Sequence, residues 1–461
     1  MREAVPAASA GASRRCVKTG SRGNVLLVNP WIYDFAAHNL WIEPIGLLTI
    51  AAALRDNDYT VTVVDCLAPH PGAPAARVDG SGKFAKTALD KPDAVKFVPR
   101  RYGRYGVPIA RFDAALKAAP KPDVILVGSG MTYWYPGVVE AITCLRARYG
   151  RVPVVLGGVY ATLCPEHAQM RSGADAVITG QGVALALGFV DEVTGHDSGP
   201  EQHADPCNWP APAHDLVSRP FAAIVTSWGC PYRCTYCASH KLVPTFVRRE
   251  PVAVVEEIVG CVQRGIQDFA FYDDALLVGG GRRLTAILEA ILARGLRVRF
   301  HTPNGLHARG ITSSLAQLMR RAGMATVRLS LETVNPLRQQ STGAKVTTDE
   351  FAEAVSHLRA AGYGPAELGA YILAGLPGQM LAEVEDTVEF VHGLGVQAKL
   401  ALFSPIPGTP EGDRALAPGV DPLLHNNTVY PYLLGSDYAG DLQRVKQVAK
   451  EGNSALLRGL R

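Results

Sequence analysis

Cys230, Cys234 and Cys237 stand within one short stretch, Cys230-Pro231-Tyr232-Arg233-Cys234-Thr235-Tyr236-Cys237. Closely spaced thiolates are soft ligands that select zinc or iron–sulfur chemistry. With nine cysteines in 461 residues, such a triplet is expected by chance in only roughly 0.4% of chains. Structural zinc sites close with four ligands. No second cysteine or histidine pair at finger spacing accompanies the triplet, although His240 is near. Three ligands suit a cubane cluster that leaves one iron open to a small molecule. A structural zinc is the other reading of these residues alone.

The elements around the triplet must position it. Ala222-Ala223-Ile224-Val225-Thr226 precedes it and reads as a buried strand. Further strands are expected at 268–272, 297–301, 326–331, 368–373 and 398–403, with helices at 252–264, 283–294, 312–322, 349–361 and 381–394. Six βα repeats over residues 218–415 make a partial barrel whose site lies at the carboxyl ends of its strands. Upstream, strands at 24–30 and 59–65 flank a helix at 44–55, a right-handed crossover unit. Strands at 123–128, 152–157 and 176–179, with helices at 136–149 and 165–172, complete a doubly wound, Rossmann-like α/β domain over residues 23–193.

Several segments break this rhythm. Residues 68–122 are rich in Pro, Gly and Ala, and Lys83, Lys86, Lys91, Lys96, Arg100, Arg101 and Arg104 face only Asp90 and Asp93 there. They read as a solvated insertion, or more sharply as a contact for an anionic substrate. Residues 194–217 are a polar, Pro-rich linker. Residues 416–461 read as a C-terminal helical tail, and 1–22 as a disordered one. Hydrophobic residues make up 48% and charged residues 19%, with a net charge of +4. That balance suits a globular protein and argues against one dominated by phosphate contacts to nucleic acid. No apolar stretch is long enough to cross a bilayer. No secretory signal is visible, which predicts a cytoplasmic protein whose cysteines are reduced or metal-bound.

The triplet, with Tyr236 before its third cysteine, resembles the radical SAM superfamily. The resemblance implies a [4Fe–4S] cluster on Cys230, Cys234 and Cys237. It also implies S-adenosylmethionine (SAM) on the open iron, cleaved reductively to a 5′-deoxyadenosyl radical. An electron donor such as flavodoxin or ferredoxin follows. Asp273 and Asp274 stand where the family holds the methionine amine, and Ser330 and Glu332 at its polar ribose and methionine position. Leu373 and Gly375 lie in Tyr371-Ile372-Leu373-Ala374-Gly375-Leu376-Pro377-Gly378, similar to the fifth-strand motif beside the adenine. Phe403-Ser404-Pro405-Ile406-Pro407-Gly408-Thr409-Pro410 resembles the sixth-strand turn of the MiaB-like branch. His301-Thr302-Pro303-Asn304-Gly305-Leu306 faces substrate or forms an ordinary turn.

The first domain resembles the cobalamin-binding domain that precedes many radical SAM cores. The matching positions are Pro44-Ile45-Gly46-Leu47, Asp65, Ser129, Gly130, Met131 and Thr132 in the loop over the corrin, Gly157, Gly158 and Tyr160, and Gly180 and Gly182. Two departures stand out. Asp34 and His38 have the wrong spacing for a cobalt-ligating D-x-H-x-x-G, and Gln181 and Val183 replace acidic residues. The resemblance implies a cobalamin-dependent C-methyltransferase acting on a small molecule or peptide. A non-methylating rearrangement with a cobalamin-free first domain is the alternative, and a non-catalytic metal-bound module a third. Methylthiolation needs a second cluster, and Cys16, Cys66, Cys144, Cys164, Cys207 and Cys261 form no second triplet.

Overall fold

A computed structural model describes residues 21–180 and 182–459. The expected N-terminal disordered tail lies, up to residue 20, outside the described residues, as does Gln181. The N-terminal sheet is five-stranded and parallel, built from β1 (Asn24–Asn29), β2 (Thr60–Asp65), β3 (Val124–Val127), β4 (Val154–Leu156) and β5 (Ala176–Val177). Its order is β5-β4-β3-β1-β2. Val25, Leu26, Leu27 and Val28 are all buried because helices cover both faces, which is why the strand reads as one apolar run. The chain reverses its winding between β1 and β3. That switch point is where a doubly wound sheet leaves a crevice for ligand.

The second sheet runs β6 (Phe221–Ile224), β7 (Asp268–Phe271), β8 (Arg299–His301), β9 (Met324–Glu332), β10 (Leu368–Ala374) and β11 (Gln397–Leu402), in that order and parallel. Leu306–His307 adds a short pairing to β9. The sheet is an open barrel wall. Side chains alternate along it: Val327, Leu329 and Leu331 of β9 join the core under the helices, whereas Arg328, Ser330 and Glu332 face the lumen. No helix among the described residues is long and apolar enough to cross a membrane.

The structure departs from the sequence reading in two segments. The basic insertion is folded, not a solvated appendage. Lys86–Ala88 and Gly103–Tyr105 form an antiparallel sheet with Ile32–Asp34. Val95, Val98 and Tyr102 enter the apolar core. Some of its cations bond within the fold: Lys91 donates to the carbonyls of Lys96 and Val98, and Lys86 to those of Phe35 and Arg101, while Lys83, Arg100 and Arg101 are exposed. Arg104 pairs with Glu140 and lies over the Trp31 ring. The C-terminal residues, in turn, strap the two modules together. Leu423 and Val429 pack into the N-terminal core, while Leu442, Val445 and Ala449 of the helix Ser436–Arg458 pack into the barrel core.

The modules meet through specific contacts. Trp41 enters the barrel lumen and stacks on His301, centroids 4.0 Å apart. Tyr272 Oη donates to the Leu40 carbonyl at 2.6 Å. His214 of the linker is buried between Glu43 of the first module and Glu257 of the second. Arg219 pairs with Asp65, so this signature position serves the interface.

Candidate active site

The cysteine loop leaves the carboxyl end of β6. Ser227–Trp228 turns back as a short ribbon against Val247–Arg248, and Gly229 takes a φ of 75° that a side chain would strain. The loop is then pinned from both sides. Thr235 N–H donates to the Thr342 carbonyl, and Glu411 N–H donates to the Thr235 carbonyl. A Cβ on Gly343 would meet Cys234 Cα at 3.2 Å and its Sγ at 3.4 Å, so glycine is required beside the thiol.

Cys230, Cys234 and Cys237 line one cavity of about 220 Å³ with Tyr236, Asp274 and Lys345. All three are free thiols. Burial pushes Cys230 up to about 11 and also raises Cys234. Thiolates form in such a place only with a bound cation to compensate them, and binding expels the protons. Among the described residues, no three His, Cys, Asp or Glu side chains gather closely enough to hold a single metal ion. His240 also lines the cavity. Nδ1 of His307, whose ring lies 4.3 Å from that of Tyr232, is buried without a partner at the same cavity.

The expected SAM residues lie on the lumen side of β9 and β10. Glu332 sits at a register shift of β9 with a φ of 70°, a conformation that a non-glycine residue adopts at a cost. Its carboxylate accepts from Lys345 Nζ at 3.1 Å. Burial would lower Lys345, but Glu332 and the neighbouring thiols outweigh it and hold its pKa up. Ser330 is buried one step back along the strand. Tyr236 packs against Leu373, Leu376 and Phe403, an apolar wall that ends at Gly375, φ 99°. Gln379 Oε1 accepts from the Gly375 and Leu376 N–H groups and shapes that turn. Asp273 differs from the expectation. It is buried and accepts from Thr226 N, Thr226 Oγ1 and Ser227 Oγ, so it holds the start of the cysteine loop and does not line the cavity.

A second cavity, of about 440 Å³, opens at the switch point of the N-terminal sheet. Asn29 and Pro30 follow β1, Ser129 and Gly130 follow β3, Gly157 and Gly158 follow β4, and Gly180 and Gly182 complete that side. Small residues are required. A Cβ on Gly130 would meet the Trp134 ring at 2.7 Å, and one on Gly158, φ 97°, would collide with the Ser129 carbonyl. The opposite wall belongs to the linker and barrel: Trp209, Trp228, Leu242 and Val243. Trp228 Nε1 is buried there without a partner. Met131, Thr132 and Tyr160 do not line this cavity. Met131 is exposed, Thr132 binds His425 Nδ1 at 3.1 Å, and Tyr160 is buried against His167. Among the described residues, no histidine lines it.

Sequence reasoning missed Lys345 and the four residues of the far wall. Nothing local marks them; only a flag on the lone Trp209 within a Pro-rich linker could have drawn attention to it.

An open parallel barrel thus carries a three-thiol loop at its first strand and abuts a Rossmann-like sheet across an apolar cavity. Residues 224–391 match the family model of the Radical SAM superfamily. The chain is 26% identical over 330 residues to an uncharacterised methyltransferase of Pyrococcus horikoshii, covering 64% of this chain and 70% of that protein. It is 22% identical over 329 residues to the anaerobic magnesium-protoporphyrin IX monomethyl ester cyclase of Rubrivivax gelatinosus, covering 62% of this chain and 57% of the cyclase. Among solved structures it resembles the radical SAM methyltransferase TsrM of Kitasatospora setae with cobalamin and a [4Fe–4S] cluster bound. That match has a TM-score of 0.62 and 17% identity, over 89% of this chain and 82% of TsrM. The likeness spans both modules and shows their shared fold.

Proposed function

We propose that the chain is a cobalamin-dependent radical SAM methyltransferase. The observation that carries this reading is the placement of the apolar switch-point cavity against the cysteine loop: Trp228 and Leu242 wall the cavity while Cys230, Cys234 and Cys237 face the other way. When bound, the cluster, SAM and cobalamin supply reductive SAM cleavage and methyl delivery. The chain's own residues bind and exclude water. Cys230, Cys234 and Cys237 hold the cluster. Lys345 offsets the negative charge of the thiolates and orients Glu332 toward SAM. Tyr236, Leu373 and Phe403 enclose the apolar part of SAM. Glycines at 130, 157 and 158 let the backbone approach a flat macrocycle, and the tryptophans of the far wall cover it.

The substrate is a small molecule or peptide, and the reducing electron comes from a flavodoxin- or ferredoxin-type donor. The likeness to a methyltransferase relative supports methylation over the alternative suggested by the cyclase. The test is anaerobic reconstitution with iron, sulfide and hydroxocobalamin, then desalting and metal analysis. About four irons and one cobalt per chain are expected. Four irons without cobalt would overturn methyl delivery by cobalamin. Iron content unchanged by Cys→Ala replacement at 230, 234 and 237 would overturn the cluster itself.

A further inference from the structure

The lumen wall carries both cations and carboxylates, most of them paired. Each acid on this face has a partner. Asp268 is bound by Arg299 and His301, and Glu332 by Lys345. Glu43, which reaches in from the first module, is held by His214 and the Ala223 N–H. Two lumen cations remain. Arg328 of β9 donates to the backbone carbonyl of Glu367 at 3.0 Å, and Lys399 of β11 donates to the Gln397 side-chain oxygen at 2.8 Å. Among the described residues, neither meets a carboxylate. Both are partly buried.

The strand register places them together. Arg328 pairs across to Gly369 of β10, Gly369 to Gln397 of β11, and Tyr371 to Lys399. The guanidinium lies over Gly369, where an added Cβ would sit 3.2 Å from Nη1. Glycine there leaves room for the arginine to lie flat on the wall. A third cation, Arg77, arrives from the first module: the next residue's carbonyl accepts from Arg299 Nη2, and its charge acts on Lys399. Asp79, two residues on, accepts from Ser81 and sends its field to Arg299.

We propose that Arg328 and Lys399, with Arg77 at the rim, form an anion-binding site that receives a carboxylate or phosphate group of the substrate. A partly buried pair of cations without a counter-charge is costly unless a ligand supplies one. Lys399 shares its row with Tyr371 and Ser330, and Arg328 stands one lumen-facing position below Ser330, so a substrate anchored here projects its remainder toward the SAM side of the lumen. The site deepens the proposed function, since it rests on the barrel lumen being the substrate's place. It selects anionic substrates and excludes neutral ones of the same shape.

Lys399 reports on the site directly. Burial, with Arg328 and Arg77, lowers its pKa to about 8, which makes it reactive toward acylating reagents near that pH. Lys446 has the same lowered value from burial and stands outside the lumen, so it is the internal control. The reconstituted protein is acylated with and without inorganic phosphate or succinate, and each lysine is quantified by mass spectrometry. A bound anion raises the lysine pKa by about one unit, so near pH 8 Lys399 modification should slow about five-fold while Lys446 is unchanged. Succinamide, the neutral control, should not protect. Arg328→Gln should abolish protection and Arg328→Lys should retain it. Protection by phosphate alone identifies a phosphorylated substrate, and by succinate alone a carboxylate. Equal modification rates with and without both anions would overturn the proposal, as would equal slowing of Lys446. Protection in protein that loads iron but no cobalt would keep the anion site and remove the methylation reading. Full metal loading without protection would do the reverse.

Discussion

His214 should make the docking of the two modules depend on pH. Its Nδ1 lies 3.1 Å from Glu43 Oε2 and its Nε2 lies 3.0 Å from Glu257 Oε1, with all three side chains buried. Arg249 closes the group, 2.6 Å from Glu257, so two carboxylates meet two cations when the imidazole is protonated. Burial alone would lower the imidazole, but the bonds to Glu257 and Glu43 outweigh it and raise it to about 9 from 6.5. A folded-state pKa above the unfolded one stabilises fully below pH 6.5 and is lost as pH rises toward 9. At 1.36 kcal/mol per unit, that is about 3 kcal/mol. His214→Gln removes this pH-dependent part. It also strands two buried carboxylates on one arginine, a loss of about 3–5 kcal/mol in all at neutral pH. Urea unfolding of both proteins at pH 6.5 and above pH 9, with hydrogen exchange at residues 43–50 and 213–216 as a local readout, measures it. The gap between wild type and variant should shrink by about 3 kcal/mol across that range. A gap independent of pH, or a His214 resonance that titrates near 6.5, would refute the reasoning.

Three other perturbations bear on separate parts of the molecule. Gly158→Ala forces a side chain onto a backbone at φ 97° and into the Ser129 carbonyl, so cobalt loading should fall while iron loading holds, which the metal ratio checks. Trp41→Ala removes the ring stacked on His301 and should cost about 3–5 kcal/mol of stability, read by calorimetry. Glu332→Gln loses the charge facing Lys345 and should weaken SAM binding about ten-fold, measured by equilibrium dialysis, with iron content unchanged.

The strands were legible because parallel sheets covered on both faces read as apolar runs. The expected strand at 268–272 is observed as Asp268–Phe271, and that at 398–403 as Gln397–Leu402. The triplet was legible because its chemistry is local. What escaped is what depends on distant partners. Trp41 and His301 meet across 260 positions of chain, and Glu43 and His214 across 171, with no periodic signal to announce either. Lys86 and Lys91 look free in sequence because their partners are carbonyl groups that only the fold delivers. Asp273 matched an expected position by spacing, yet its carboxylate ties the start of the cysteine loop while the next residue, Asp274, lines the cavity.

The two cavities are not independent, because one loop forms a wall of each. From Trp228 to Val243 the chain faces the switch-point cavity at both ends and the cluster cavity between them. The carboxylate of Asp273 holds the start of that loop, and Arg249, which donates to the Val225 carbonyl, ties the strand end before it to Glu257 and thence to His214 and Glu43. Glu43 itself lines the switch-point cavity. A ligand that orders one face of the loop therefore lowers the ordering cost for a ligand on the other, and linkage makes that help reciprocal. The buried ionic group between the modules serves this arrangement in a way an apolar patch would not: its directional bonds fix where the first module sits, and so fix the distance between the two cavities, whereas packing alone tolerates sliding.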